Sequence, residues 1–149
     1  MTRQVVALFA FALLTSVLAL SQTKGELRTK YGPPDDSGRY VVRPGIGMSV
    51  RVDEAGVVRD VTIRPIESAA SSTDRRSKNA LVMKSDLARA ILDEVAPVSR
   101  RGRYKTTGNA EFGCTSVDHN EYENATISIT NRCDQQGGGT YSLRVHWKN

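Results

Sequence analysis

The end of the chain alternates without a break. Tyr141, Leu143, Val145 and Trp147 are apolar, and Ser142, Arg144, His146 and Lys148 are polar. Successive side chains of a strand point to opposite faces, so this segment fits a strand with one dry face and one wet face. Whatever else the chain does, it must supply a sheet of that kind. Three further segments obey the same period: Met48, Val50 and Val52; Val57 to Arg64, with Val61 and Ile63 opposed to Asp60 and Thr62; and Glu123 to Thr130, with Ala125, Ile127 and Ile129 on one side. Arg39 to Arg43 and Asn109 to Val117 complete a set of about six predicted strands. Glu54-Ala55-Gly56 is short enough to make its flanking strands a hairpin.

Two segments change period. Leu27 and Tyr31 share one face of a turn, and Gly32-Pro33 stops a short helix at Tyr31. Leu87, Ile91, Leu92 and Val95 form an apolar stripe, with Ser85 as the expected N-cap, Asp86 in the first turn, and Arg89 and Asp93 on the wet side. Pro97 ends that helix. The expected fold is therefore α+β: two helices packed on an antiparallel sheet of about six strands, or on two sheets of three. Residues 67–80 are small, polar and charged, and read as an exposed linker.

The same spacing recurs after each helix. Pro33 is followed by Gly38-Arg39-Tyr40, and Pro97 by Gly102-Arg103-Tyr104, an offset of 64 residues that also lays Val61-Thr62-Ile63 on Ala125-Thr126-Ile127. Two half-repeats, each a helix followed by three strands, are one reading. Chance among common turn residues is the other.

The first residues speak to location. Arg3 precedes an apolar run of about 16 residues from Val5 to Leu20, and small residues at Val17, Ala19 and Ser21 stand at signal-peptidase spacing. That is the pattern of a secretory signal over residues 1–21, and the run is short for a membrane span. The expectation is an exported domain of residues 22–149, periplasmic or extracellular, with no stable membrane anchor after cleavage. Cys114 and Cys133 fit that setting as one disulfide, because their separation of 19 matches no CxxC motif and no nearby histidine completes a zinc knuckle. Such a bridge contributes about 3 kcal/mol in the chain-entropy view. A tight hairpin centred near residue 120 would set Cys114 against a residue near 126 instead.

Tyr31-Gly32-Pro33-Pro34, the run from Tyr40 to Ile46, and Gly113-Cys114-Thr115-Ser116 together resemble small exported bacterial proteins of unknown function. These motifs consist of turn residues, and the resemblance implies no catalytic residue. A bacterial setting would leave the Asn124-Ala125-Thr126 sequon bare.

The chemistry is sparse. No nucleophile elbow, zinc-protease motif or phosphate loop is present, and Gly137-Gly138-Gly139 reads as a turn because no helix and lysine follow it. Asp118-His119-Asn120-Glu121-Tyr122-Glu123 is the densest ionisable run and is expected in a loop. There His119 with Glu121 or Glu123 would be the acid–base pair of a small hydrolase. Asp118, Glu121 and Glu123 would form a weak calcium site at most, since the EF-hand spacing is missing. Arg144, His146 and Lys148 form a basic strip suited to an anionic polymer, or to guarding a sheet edge. Tyr141 and Trp147 are expected in the core, or as a platform for a glycan or peptide.

The net charge is +5, and Arg3 is the only charge in the first 21 residues, which leaves the rest mildly basic at about +4. That is far from the dense Lys/Arg stripe of a nucleic-acid binder. The leading expectation is a non-catalytic exported module, without cofactor or resident metal, that binds a protein or an anionic envelope polymer. A secreted hydrolase and a secreted protease inhibitor or effector are the alternatives.

Overall fold

The structure is a computed structural model that describes residues 22–66, 81–133 and 138–148. The expected signal segment (1–21) and linker (67–80) lie outside the described residues. In chain order the elements are α1 (Lys24–Tyr31), β1 (Tyr40–Arg43), β2 (Ile46–Val52), β3 (Val58–Pro65), α2 (Ser85–Val95), α3 (Val98–Arg101), β4 (Tyr104–Phe112), β5 (Thr115–Tyr122), β6 (Ala125–Arg132) and β7 (Gly139–Trp147). The fold is α+β, as the patterning requires. Seven strands form one antiparallel sheet in the order β1-β2-β3-β7-β6-β5-β4.

The sheet therefore has one strand more than expected and is not split in two. The difference lies at Gly113-Cys114. A single strand over 109–117 is expected from composition, but Gly113 takes φ 59° and turns the chain back on itself. Two strands result, of nine and eight residues, and residues 118–122 belong to β5 instead of a loop. The next turn falls at Glu123-Asn124, not near residue 120. Its register pairs Thr115 with Arg132, so the next pair outward is Cys114 and Cys133. These are joined by a disulfide at a Cα separation of 5.4 Å.

One face of the sheet is dry. Tyr40, Met48, Ile63 and Leu143 form one row across it, and Val61, Val145 and Ile127 form the next. Leu27 of α1 and Ala88, Ile91, Leu92 and Val95 of α2 close over these rows. Leu87, expected in the stripe, stays 36% exposed. Ala88 takes its place beside Ile91, Leu92 and Val95, which are buried as expected, and α2 starts at Ser85 itself. Lys84 occupies the N-cap position and makes no side-chain cap bond. Pro97 does end α2, but it also opens a single further turn, α3, so the described residues contain three helices.

The repeated tripeptide does the same backbone work twice. Gly38 and Gly102 both take φ 75°, and each delivers the chain into an edge strand, β1 or β4. The tyrosines that follow differ, since Tyr40 is buried and Tyr104 is 55% exposed. The helices do not extend over β4, all nine residues of which are exposed. At Gly139, which opens β7 and is not part of a turn, a Cβ would come within 2.6 Å of the Met83 carbonyl oxygen. That close approach permits the paired backbone bonds between Met83 and Thr140.

A polar cluster locks α1, α2 and β1 together. Glu94 of α2 accepts from the Tyr31 hydroxyl at 2.8 Å, from Lys30 at 3.1 Å and from Arg43. Burial works against ionising Glu94, yet the three donors together pull its carboxyl from the usual 4.5 to about 2. The folded state thus favours the carboxylate. Its contribution is complete above pH 4.5 and fades as the pH falls towards 2.

Two stability predictions follow from this packing. Glu94→Gln should lose about 1.5–3 kcal/mol at pH 7 by urea titration, in line with hydrogen bonds to a charged group. It should also flatten the decline of stability between pH 4.5 and 2; an unchanged acid limb would remove Glu94 from its cause. The Cys114→Ser/Cys133→Ser variant should lose roughly 2–4 kcal/mol relative to the oxidised protein, measured by the same titration.

Candidate functional site

Among the described residues no helix lies on the second face of the sheet, and the alternation that buries one set of side chains delivers the other set here. Asp60 stands opposite His146, and Thr62 opposite Arg144. Across β6 and β5 the same rows continue through Thr126 to Glu121, and through Ser128 to His119. His119 and Glu121 of β5 and Arg144 and His146 of β7 therefore share one open face. Lys148, just beyond β7, joins them through its contact with Glu121.

Asp60 is the centre of this face. It is only 6% exposed. Its Oδ2 accepts from the Arg51 guanidinium, with Nε at 2.8 Å. Its Oδ1 lies 2.9 Å from His146 Nδ1 and 3.9 Å from Arg144 Nη2. Burial pushes the Asp60 carboxyl up, but the hydrogen bonds and charges of His146 and Arg51 outweigh it and hold the group below the usual carboxylate value. No pattern in the sequence singles out Asp60. It reads there as an ordinary wet-face residue; the β2–β3 hairpin gives it Arg51, and only the β3–β7 pairing adds His146 and Arg144.

The hydrolase candidates are arranged differently from an acid–base pair. His119 is exposed, and its Nδ1 lies 3.0 Å from Ser128 Oγ. Glu121 is on the same face, but its Oε1 accepts from Lys148 Nζ at 2.8 Å, and that bond is the main reason its carboxyl is held low. Glu123 sits in the β5–β6 turn, where the Arg103 backbone N–H and then the Arg103 charge hold it low. Asp118 belongs to the helix-side face, bonded to Asn109 at 2.6 Å and to Asn131 at 3.2 Å. The carboxylates of Asp118, Glu121 and Glu123 thus diverge, and no three His, Cys, Asp or Glu side chains among the described residues gather as metal ligands.

The basic strip is largely compensated. Arg144 and His146 face Asp60, and Lys148 is held by Glu121 and by the Tyr122 carbonyl oxygen at 2.7 Å. Two cations missed in the sequence stand apart from it. Arg64 of β3 and Arg132 of β6 both lie over the Tyr141 ring, their guanidinium carbons 5.9 and 3.8 Å from its centroid. Tyr141 is half-buried between them and not in the core, whereas Trp147 is in the core beneath Arg100. A bulge explains Tyr141. Thr130 pairs with Ser142 and Asn131 with Thr140, so Tyr141 has no partner in the ladder.

Comparison with known proteins adds little to this geometry. No family model matches the chain, and no curated protein matches it. Among solved structures, a DUF4309 family protein (YjgB) from Bacillus subtilis is similar at a TM-score of 0.42 and 12% identity, over 85% of this chain and 79% of that one. A likeness at that level carries no argument about what the open face does. Among the described residues no helix is long and apolar enough to cross a membrane.

Asp60 yields a test. Asp60→Asn should lower stability at pH 7 by roughly 1.5–3 kcal/mol, because Arg51, His146 and Arg144 lose their shared anion. The wild-type contribution of Asp60 is present above its usual value of 3.8 and is lost as the pH falls through the lower folded-state value. The variant should therefore converge with wild type in acid. A difference that persists undiminished at pH 2 would show that the charge is not the cause.

Proposed function

We propose that this chain is an exported, non-catalytic binding module that engages its partner through the open face of the sheet. The observation that carries the reading is the convergence of Arg51, Arg64, Arg132, Arg144, His146 and His119 on one face that no helix among the described residues covers, and whose buried anion is Asp60. A broad polar surface rich in arginine, with a tyrosine at one end, suits recognition of an extended partner better than enclosure of a small one. The carboxylates nearest His119 are held low by Lys148 and Arg103, which fits poorly with proton transfer near neutral pH. Export is supported by the apolar N-terminal run and by the disulfide.

A second reading has one observation in its favour, the 3.0 Å contact between His119 and Ser128. In that reading Ser128 is a nucleophile and His119 its base. The described residues supply no carboxylate in hydrogen-bond contact with His119, so the orienting group of a triad is missing.

The test is retention of an envelope component by the oxidised 22–149 protein, compared between two variants. Thr126→Trp places a bulky group in the middle of the open face, and Arg89→Glu alters the exposed side of α2. Loss of retention with Thr126→Trp alone is the expected result. Equal retention by both variants would place the partner elsewhere. Ester turnover that disappears with Ser128→Ala would favour the hydrolase.

A further inference from the structure

The compensated strip of Arg144, His146 and Lys148 is a weak anchor for an anion, because an incoming acid must compete with Asp60 and Glu121 for the same cations. Arg64 and Arg132 have no such competitor. Among the described residues no carboxylate pairs with either; Arg132 stacks on the Tyr141 ring at 3.8 Å, and Arg64 reaches it at 5.9 Å. A guanidinium stacked on an aromatic ring keeps its in-plane N–H groups directed outward, where they match the two oxygens of a carboxylate. The bulge at Tyr141 sets the ring between the two arginines, so the subsite spans three adjacent strands, β3, β7 and β6. Part of the ordering cost of binding is thereby met in the free protein.

The surroundings narrow the ligand. Arg64 also forms one wall of a cleft of about 370 Å³ that includes Ser49, Thr62 and Arg39. Ser49 and Thr62 are a cross-strand pair, so their hydroxyls lie side by side on the open face. Gly47 forms the floor beside them, and a Cβ there would come within 2.9 Å of the Ile66 side chain. The cleft thus combines hydroxyls and guanidinium groups with an apolar margin of Pro65 and Ile66, and through Arg64 it adjoins a tyrosine. Sugar hydroxyls next to a sugar carboxylate fit the hydroxyls and guanidinium groups, and Pro65 and Ile66 offer an apolar margin to the ring carbons of a sugar.

We propose that Arg64, Tyr141 and Arg132 form the anion-binding subsite of the open face, and that its ligand is an acidic polysaccharide presenting uronate carboxylates, with neighbouring sugar hydroxyls in the Ser49–Thr62 cleft. This rests on the open-face reading above and gives it a ligand class.

The experiment is calorimetric titration of the oxidised 22–149 protein with polygalacturonate, with its methyl-esterified form and with polyphosphate, at two salt concentrations. Wild type should bind polygalacturonate, more weakly at the higher salt, and should not bind the esterified polymer. Arg64→Gln/Arg132→Gln should weaken binding by about tenfold or more, as expected when charged hydrogen-bonding partners are truncated. Arg132→Lys, which keeps the charge but loses the stacked fork, should weaken it too and guards against a variant that merely misfolds. Arg144→Gln/Lys148→Gln should cost less than the Arg64 and Arg132 pair, because those cations are already compensated, and Arg89→Gln, on the exposed side of α2, should stay within about twofold of wild type.

No binding of polygalacturonate by wild type, or tighter binding of polyphosphate, overturns the ligand class. Binding lost with the Arg144 and Lys148 pair but kept by the Arg64 and Arg132 pair overturns the subsite and leaves the open-face reading standing. Binding unaffected by either pair removes both.

Discussion

Everything in this fold depends on the pairing of β3 with β7. It is the one ladder through which the N-terminal meander, β1 to β3, meets the C-terminal one, β4 to β7. The pairing is long-range, and Asp60 and His146 lie 86 residues apart in sequence. Closing so long a loop costs chain entropy, which must be offset by what the seam buries. On the dry face, Val61 against Val145 and Ile63 against Leu143 are nearly solvent-free and lie under the helices. On the wet face the same seam sets Asp60 against His146, with Arg51 and Arg144 on either side. One ladder therefore positions both the core and the centre of the candidate binding surface.

The charge pattern of the open face follows from that geometry. A carboxylate as buried as Asp60 needs partners to remain ionised. Arg51, His146 and Arg144 supply them, and in doing so they are partly neutralised. Lys148 and Glu121 repeat the arrangement at the neighbouring edge. Among the described residues Arg64 and Arg132 of this face pair with no carboxylate, and the sheet sets an aromatic ring beside them in place of an acid. Two chemically different kinds of arginine thus share a single surface.

The β4–β5 hairpin extends beyond the helices and is held by other means. On its helix-side face Asn109, Asp118, Asn131 and Thr140 form a hydrogen-bonded ladder across four strands. The disulfide closes the β5–β6 end. Cross-strand polar pairs and a covalent link fix the register where little apolar surface is available to do so. Asp118 is thereby engaged in structure, although in sequence it stands within the ionisable run around His119.

The sequence by itself determined the fold class, the dry and wet assignment of β2, β3, β6 and β7, and the pairing of two cysteines. Each follows from local rules: side-chain alternation, helix periodicity and cysteine count. It also nominated His119, Glu121, Arg144, His146 and Lys148, because ionisable side chains are visible in any sequence. What only the tertiary structure decided is which of these groups meet. The turn at Gly113 converted the loop expected from residue 118 onward into β5. The β3–β7 register brought Asp60 to His146, and the bulge at Tyr141 separated that ring from the core and set it between Arg64 and Arg132. These outcomes depend on strand order and register between distant segments, where a shift of one residue exchanges the faces of a whole strand. Local composition carries no record of that choice.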